Sequence, residues 1–161
     1  IEYFTLDPVT GTVLGTGDSP YHGDYSMSTP LFLSENQNLL FTANGNYFST
    51  NTLKYEGKLK LSSGNIMSMS HSSNKDEALV ISQIYINDYP TYQGLGYSSS
   101  YQLFSGSLLT SAGTLPLPLI NGKQSYGLRI FHSGNGSHVV LVQTETYAPN
   151  GAGAKYHIIY R

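Results

Sequence analysis

The chain has 161 residues, which is long enough for one domain with a core of its own. With 8 Lys and Arg against 10 Asp and Glu it is nearly neutral, which excludes the basic surface that nucleic acids and anionic membranes require. It contains no Cys, so disulfides and Cys-ligated metals are excluded, and no apolar run reaches the roughly 20 residues needed to cross a bilayer.

Short apolar runs separated by turn signals predict β-strands throughout the chain, and no segment has the period of an amphipathic helix. The predicted strands, in chain order, are 1–6, 12–14, 29–34, 38–43, 50–55, 58–61, 66–71, 78–86, 99–105, 114–119, 125–132, 138–144 and 155–161. An all-β protein is therefore predicted.

The strands fall into a weak repeat, because three similar tripeptides each precede an apolar run. They are Ser34-Glu35-Asn36, Ser72-Ser73-Asn74 and Ser133-Gly134-Asn135. Each is expected to join strand a to strand b of a four-stranded antiparallel meander with strands a, b, c and d. The predicted units are a partial one at 1–14, complete ones at 28–61 and 65–119, and an incomplete one at 124–161.

Strand d of each unit has the composition of a sheet edge. Leu and Pro alternate over residues 114–119, and Pro cannot donate a ladder hydrogen bond. Lysines occupy the matching segment 58–61, and charges also protect an exposed edge. Strand d is therefore predicted to be the outermost strand.

With these turns and the Asp7-Pro8-Val9-Thr10-Gly11 hairpin, the chain resembles the β-propeller superfamily, particularly its diverged exported members. The resemblance implies about three tandem four-stranded antiparallel blades, and a β-sandwich is the alternative. Because a ring needs roughly four or more blades, another chain or missing blades are expected to complete it. No motif of a named subfamily is present.

Catalytic motifs such as Gly-x-Ser-x-Gly, the Walker A loop and His-Glu-x-x-His are absent, which favours a non-catalytic protein.

No cofactor is expected, except that Asp18, His22 and Asp24 share one loop and are candidate ligands for a divalent cation. Such residues are also ordinary in loops. His71 and His132 lie at the end of strand a in two units. They are interpreted either as polar residues that hydrogen-bond near the turn, or as general bases or metal ligands. The pair Asp76-Glu77 is interpreted as a solvated turn.

Tyrosines are concentrated in the long loops, where their flat rings and hydroxyl groups suit sugars or protein partners. The candidate binding residues are Tyr21, Tyr25, Tyr85, Tyr89, Tyr92 and Tyr97. Since successive turns of an antiparallel meander alternate between its two ends, the loops 15–28, 85–98, 119–123 and 146–154 are all expected on one face. The alternative for the tyrosines of the 85–98 segment is that they only cover neighbouring blades.

The favoured function is a non-catalytic propeller segment that binds a protein or glycan through this long-loop face. The alternatives are a part of a propeller hydrolase or lyase whose catalytic residues lie in other blades, and a purely structural module. Abundant Tyr, Gly and Ser with few charges predict an extracellular, cell-surface or periplasmic location. Neither nucleic-acid binding nor membrane insertion is expected.

Overall fold

The prediction of an all-β protein is confirmed. The computed structural model describes residues 1–21, 23–88, 90 and 92–161, and regular structure in these residues consists of β-strands, with no helix. Within these ranges, no helix has the length and apolar character needed to cross a membrane.

The described strands form four antiparallel sheets that follow one another along the chain. Sheet 1 contains β1 (Glu2–Leu6) and β2 (Val13–Asp18). Sheet 2 contains β3 (Leu31–Leu33), β4 (Leu39–Thr42), β5 (Asn46–Ser49) and β6 (Tyr55–Lys58). Sheet 3 contains β7 (Ile66–Ser72), β8 (Glu77–Asp88), β9 (Tyr92–Tyr97), β10 (Ser100–Ser105) and β11 (Thr110–Pro116). Sheet 4 contains β12 (Tyr126–His132), β13 (His138–Thr144) and β14 (Lys155–Tyr160).

Sheets 2 to 4 have the predicted meander order. Neighbouring strands are β3-β4-β5-β6, β7-β8-β10-β11 and β12-β13-β14, and each sheet is open. Strands β6 and β11 are edge strands, as predicted for strand d, although β6 contains only Lys58 of the two lysines and β11 only Pro116 of the two prolines. In two of the turns between strands a and b, the Ser34 and Ser133 hydroxyls donate to Asn36 and Asn135, respectively. The Ser-x-Asn pattern therefore does mark these turns.

In sheet 2 the predicted strands at 50–55 and 58–61 are wrong. Residues 50–53 form a turn, in which Leu53 has a φ of 50°, and β5 and β6 both lie earlier than predicted. The Glu56-Gly57 pair is part of β6, where Gly57 pairs with Tyr47. A Cβ on Gly57 would lie 2.4 Å from the Tyr47 hydroxyl oxygen, so the glycine makes room for the aromatic ring.

In sheet 3 the predicted loop 85–98 is largely a β-hairpin. Strand β8 continues to Asp88, and β9 runs back along it with Gln83 opposite Tyr97. The predicted last strand, 114–119, is also misplaced, because β11 ends at Pro116. Strand β2 likewise continues past residue 14 to Asp18. The errors at 15–18 and 85–98 arise because a Tyr- or Gly-rich segment is predicted as loop although it continues a hydrogen-bonded ladder.

Sheet 3 lies between sheets 2 and 4, and β8 shows how its sequence permits this. Ala78 and Val80 belong to the core shared with sheet 2, whereas Leu79 and Ile81 belong to the core shared with sheet 4. Because successive side chains of a strand point to opposite faces, the unbroken apolar run buries both faces.

The outward faces of the flanking sheets remain apolar. On β14, the alternating residues Tyr156, Ile158 and Tyr160 are 58%, 62% and 72% exposed. On β3, Phe32 packs into the core while Leu31 and Leu33 on the other face are exposed. Contiguous exposed apolar surface of this kind is uncommon on monomeric soluble proteins.

Candidate functional site

The predicted cation loop is only partly described. Asp18 accepts a hydrogen bond from the backbone N–H of Ser19 at 2.7 Å, and its Oδ1 lies 3.5 Å from the backbone nitrogen of Ile1. Asp24 is exposed. His22 lies outside the described residues, so a cation site of Asp18, His22 and Asp24 stays a prediction.

Two candidate binding tyrosines cover the end of sheet 2. The Tyr25 ring stacks on Tyr55 with centroids 4.0 Å apart and packs edge-on against Phe48 at 5.9 Å. The Tyr21 hydroxyl accepts a hydrogen bond from the backbone N–H of Tyr55 at 3.1 Å. Tyr21 and Tyr25 therefore pack against sheet 2, and a binding role for them stays a prediction.

The other candidate tyrosines belong to the β8–β9 hairpin, residues 83–97, which we call the tyrosine hairpin. Tyr85 is 69% exposed and pairs with Leu95, which is 51% exposed. Tyr97 is half-buried, and Tyr92 begins β9. Tyr89 lies outside the described residues, so its role stays a prediction.

One face of the tyrosine hairpin combines apolar and amide groups. Antiparallel pairing places Tyr85 and Leu95 on the same face as the next pair, Asn87 and Gln93. The Gln93 amide nitrogen donates to the Asn87 side-chain oxygen at 2.8 Å. The exposed face therefore presents an aromatic ring beside an ordered pair of amides.

The two strands of the hairpin pack together on its opposite face, and the hairpin is fixed to sheet 4 at its base. Ile86 occupies the space above Gly96, where an added Cβ would lie 2.2 Å from the Ile86 Cδ1 atom. The Tyr97 N–H donates to the carbonyl oxygen of Tyr147 at 3.0 Å. The b–c segments of sheets 3 and 4 therefore meet, as the alternation of turns predicts.

A second group of polar residues joins sheets 3 and 4 near their a–b turns. Glu77 begins β8, His132 ends β12 and His138 begins β13, and we call them the histidine–glutamate cluster. Glu77 Oε1 lies 3.0 Å from His132 Nε2 and 3.1 Å from His138 Nε2. The side chains of His132, Glu77 and His138 are only 8%, 14% and 14% exposed. The interpretation of Asp76-Glu77 as a solvated turn is therefore wrong for Glu77.

Hydroxyl groups hold the outer nitrogens of both imidazoles. His132 Nδ1 lies 2.9 Å from Ser70 Oγ, and His138 Nδ1 lies 2.9 Å from the Tyr101 hydroxyl oxygen. The Ser70 Oγ also accepts the backbone N–H of His132 at 3.0 Å. Every polar atom of the two rings is therefore satisfied, which buried polar groups require.

The charge state of the cluster follows from its contacts. Burial of Glu77 opposes its ionisation, but hydrogen bonds from His138 and His132 outweigh it and hold the pKa of the carboxyl below its ordinary value. Burial lowers the pKa of His132, although the hydrogen bond to Glu77 acts in the opposite direction. A carboxylate facing a neutral imidazole is thus favoured near neutral pH. Two imidazole nitrogens and a carboxylate oxygen are also a donor set that zinc uses in proteins.

His71, the equivalent residue of sheet 3, has a different environment. Its Nδ1 is buried and has no hydrogen-bond partner among the described residues, and its ring lies 6.4 Å from that of Phe41. Burial is the main cause and lowers the pKa of His71. The nearby Glu35 and Asp76 carboxylates raise this pKa by smaller amounts, and His132 lowers it further.

We expect stability to fall in acid because of His71. An unfolded histidine titrates near pH 6.5, so the stabilising effect of a neutral His71 is fully present above that pH and is lost as pH falls through the lower folded-state pKa. Urea unfolding of the wild type and His71→Gln at neutral and acidic pH tests this. Between neutral and acidic pH, the unfolding free energy of His71→Gln should fall by less than that of the wild type. An equal fall in the two proteins would contradict the prediction.

A comparison of the chain with models of known protein families and with curated proteins finds no match.

Sequence reasoning missed two members of the histidine–glutamate cluster, Glu77 and His138. One signal was available for His138, because the antiparallel ladder across the turn 133–137 pairs it directly with His132. No such signal existed for Glu77, which reaches both histidines only because sheet 3 packs on sheet 4. His132 therefore has an acidic partner that its neighbouring residues in the sequence do not indicate.

Proposed function

We propose that the chain is a segment of a β-propeller and binds a protein or glycan partner through the tyrosine hairpin, without catalysing a reaction. Its Tyr-, Gly- and Ser-rich composition supports a location at the cell surface, outside the cell or in the periplasm.

The observation that carries the binding proposal is the exposed face of the tyrosine hairpin. Tyr85 and Leu95 leave apolar surface in contact with water, and the amides of Asn87 and Gln93 beside them offer hydrogen-bond donors and acceptors. A ring face with adjacent amides is suited to a sugar or to the side chains of a protein partner. The hydrogen bond from Tyr97 to Tyr147 fixes the base of the hairpin, which limits the conformational entropy lost on binding.

The packing of the sheets supports the propeller part of the proposal. Tandem four-stranded meanders that pack face to face are typical of propeller blades. Sheet 3 is covered on both faces, whereas the outward faces of sheets 2 and 4 expose apolar residues such as Leu33 and Ile158. These faces support placing the three sheets within a longer row of similar sheets.

We expect Tyr85→Ala to weaken partner binding by about thirtyfold, because removing a tyrosine from the centre of an interface costs about 2 kcal/mol. The partner is first identified by a glycan array and by affinity purification with mass spectrometry, and the affinity is then measured by surface plasmon resonance.

Leu108→Ala is the control for this measurement. Leu108 is 76% exposed in the turn between β10 and β11, at the opposite end of sheet 3 from the tyrosine hairpin. Its substitution should leave the affinity unchanged. Equal affinities of Tyr85→Ala and the wild type for every detected partner would refute the proposed function.

A further inference from the structure

The histidine–glutamate cluster already brings three metal-binding atoms together. The Nε2 atoms of His132 and His138 and a carboxylate oxygen of Glu77 all lie within 4.8 Å of one another. Neighbouring ligand atoms in a tetrahedral zinc site, with bonds of about 2.0–2.2 Å, are roughly 3.3 Å apart. The two observed distances to Glu77, 3.0 and 3.1 Å, are close to that spacing.

The hydrogen bonds behind the histidines match those of a metal site. Histidine ligands almost always use their second ring nitrogen in a hydrogen bond that fixes the ring orientation. Here Ser70 and Tyr101 hydroxyls contact the Nδ1 atoms of His132 and His138. A hydroxyl donates to a bare Nδ1 and accepts from a protonated one, so the same partners serve when Nε2 loses its proton to bind a metal.

The cluster is accessible from solvent on the side of His132. A cavity of about 330 Å³ borders it and is lined by His132, Lys75 and residues of the neighbouring a–b turns. The Lys75 ammonium lies 3.9 Å from Glu77 Oε1, and its side chain is 43% exposed. The Lys75 ammonium group therefore competes with a metal for the Glu77 carboxylate, and its partly exposed side chain can move into solvent when a metal binds.

We propose that the histidine–glutamate cluster binds one zinc ion, which links sheet 3 to sheet 4. His132 Nε2, His138 Nε2 and Glu77 Oε1 are the protein ligands, and water that enters from the cavity beside His132 is the fourth ligand. This site lies at the opposite end of sheet 3 from the tyrosine hairpin, so it is independent of the proposed binding function.

Titration of the EDTA-treated, dialysed full chain with zinc chloride tests the proposal. Isothermal titration calorimetry should show one high-affinity ion per chain, and zinc should raise the thermal unfolding midpoint because it binds the folded state. Cobalt should give the absorption spectrum of a tetrahedral site, which reports the geometry directly. A wild-type chain that binds neither ion would overturn the proposal.

Matched glutamine variants locate the site. His138→Gln and Glu77→Gln should each weaken zinc binding by at least about a hundredfold, since even the loss of a residue behind a ligand costs 10–100-fold. His157→Gln, the same change on β14 outside the cluster, should bind zinc as the wild type does. Circular dichroism in EDTA checks that each variant is folded. Equal zinc affinities of His138→Gln and His157→Gln would overturn the proposal.

Two further variants leave all three ligands in place. Tyr101→Phe removes the hydroxyl behind His138 and should weaken zinc binding by about tenfold at unchanged stoichiometry. Lys75→Gln removes the competing cation and should strengthen zinc binding. Weaker zinc binding by Lys75→Gln would overturn the assignment of Glu77 as a ligand.

Discussion

Leu79→Ala is expected to lower the free energy of unfolding by about 2–5 kcal/mol. Leu79 is completely buried in the core between sheets 3 and 4, together with Ile81, Ile130 and Val140. Truncation removes apolar contacts and leaves a cavity that these β-branched neighbours fill poorly, since they are held on two separate sheets. Urea denaturation followed by circular dichroism measures the change.

The matched control is Leu108→Ala, which makes the same substitution at a side chain that is 76% exposed. We expect a change within about 0.5 kcal/mol, as for surface substitutions that disturb no special feature. If both variants lost the same stability, the packing of sheet 3 on sheet 4 as described would be contradicted.

Gly64→Ala is expected to destabilise the protein by about 2–5 kcal/mol, the sum of a left-handed backbone and overpacking. Gly64 has a φ of 55° in the connection between β6 and β7, and an added Cβ would lie 1.8 Å from the Gln83 carbonyl oxygen. That connection is held against β8 by the hydrogen bond from the Gln83 N–H to the Asn65 carbonyl oxygen, 2.8 Å long. The clash is with backbone, so a side-chain rotation cannot relieve it.

Gly106→Ala separates the two contributions in the same denaturation experiment. Gly106 has a φ of 77°, and an added Cβ would meet no atom within 4 Å. This variant should show only the backbone cost, about 1–2 kcal/mol. A Gly64→Ala variant no less stable than Gly106→Ala would show that the connection does not approach Gln83 as closely as described.

The sequence by itself determined the strands and the turns that depend on neighbouring residues. Alternating or continuous apolar runs predict β8 and β13 because their periodicity is a local property of the chain. The Ser-x-Asn turns at 34–36 and 133–135 are predicted for the same reason, since their hydrogen bonds join residues two apart. Local Lys and Pro residues also predict that strand d lies at the edge of its sheet, although the bounds of β6 and β11 differ from those predicted.

Segments with weak local preference were predicted less well. The second half of sheet 2 was misplaced because Gly57 resembles a turn residue, although it makes room for the Tyr47 ring across the ladder. The tyrosine hairpin was predicted as loop because its glycines lower strand propensity. Its pairing with the end of β8 is stabilised by contacts such as Ile86 over Gly96.

Only the tertiary structure decided which faces and side chains meet. Glu77 and His132 are separated by 55 residues in the sequence, yet Glu77 Oε1 lies 3.0 Å from His132 Nε2 because sheet 3 packs on sheet 4. The period of a strand shows that Leu79 and Val80 point to opposite faces, but not which sheet covers each of them. Contacts between sheets depend on which apolar faces pack together. The free energy gained per unit of buried apolar area is similar for any pair of faces, so the pattern of one strand does not identify its partner sheet. The chain therefore encodes its strands locally, while the histidine–glutamate cluster arises from packing between sheets.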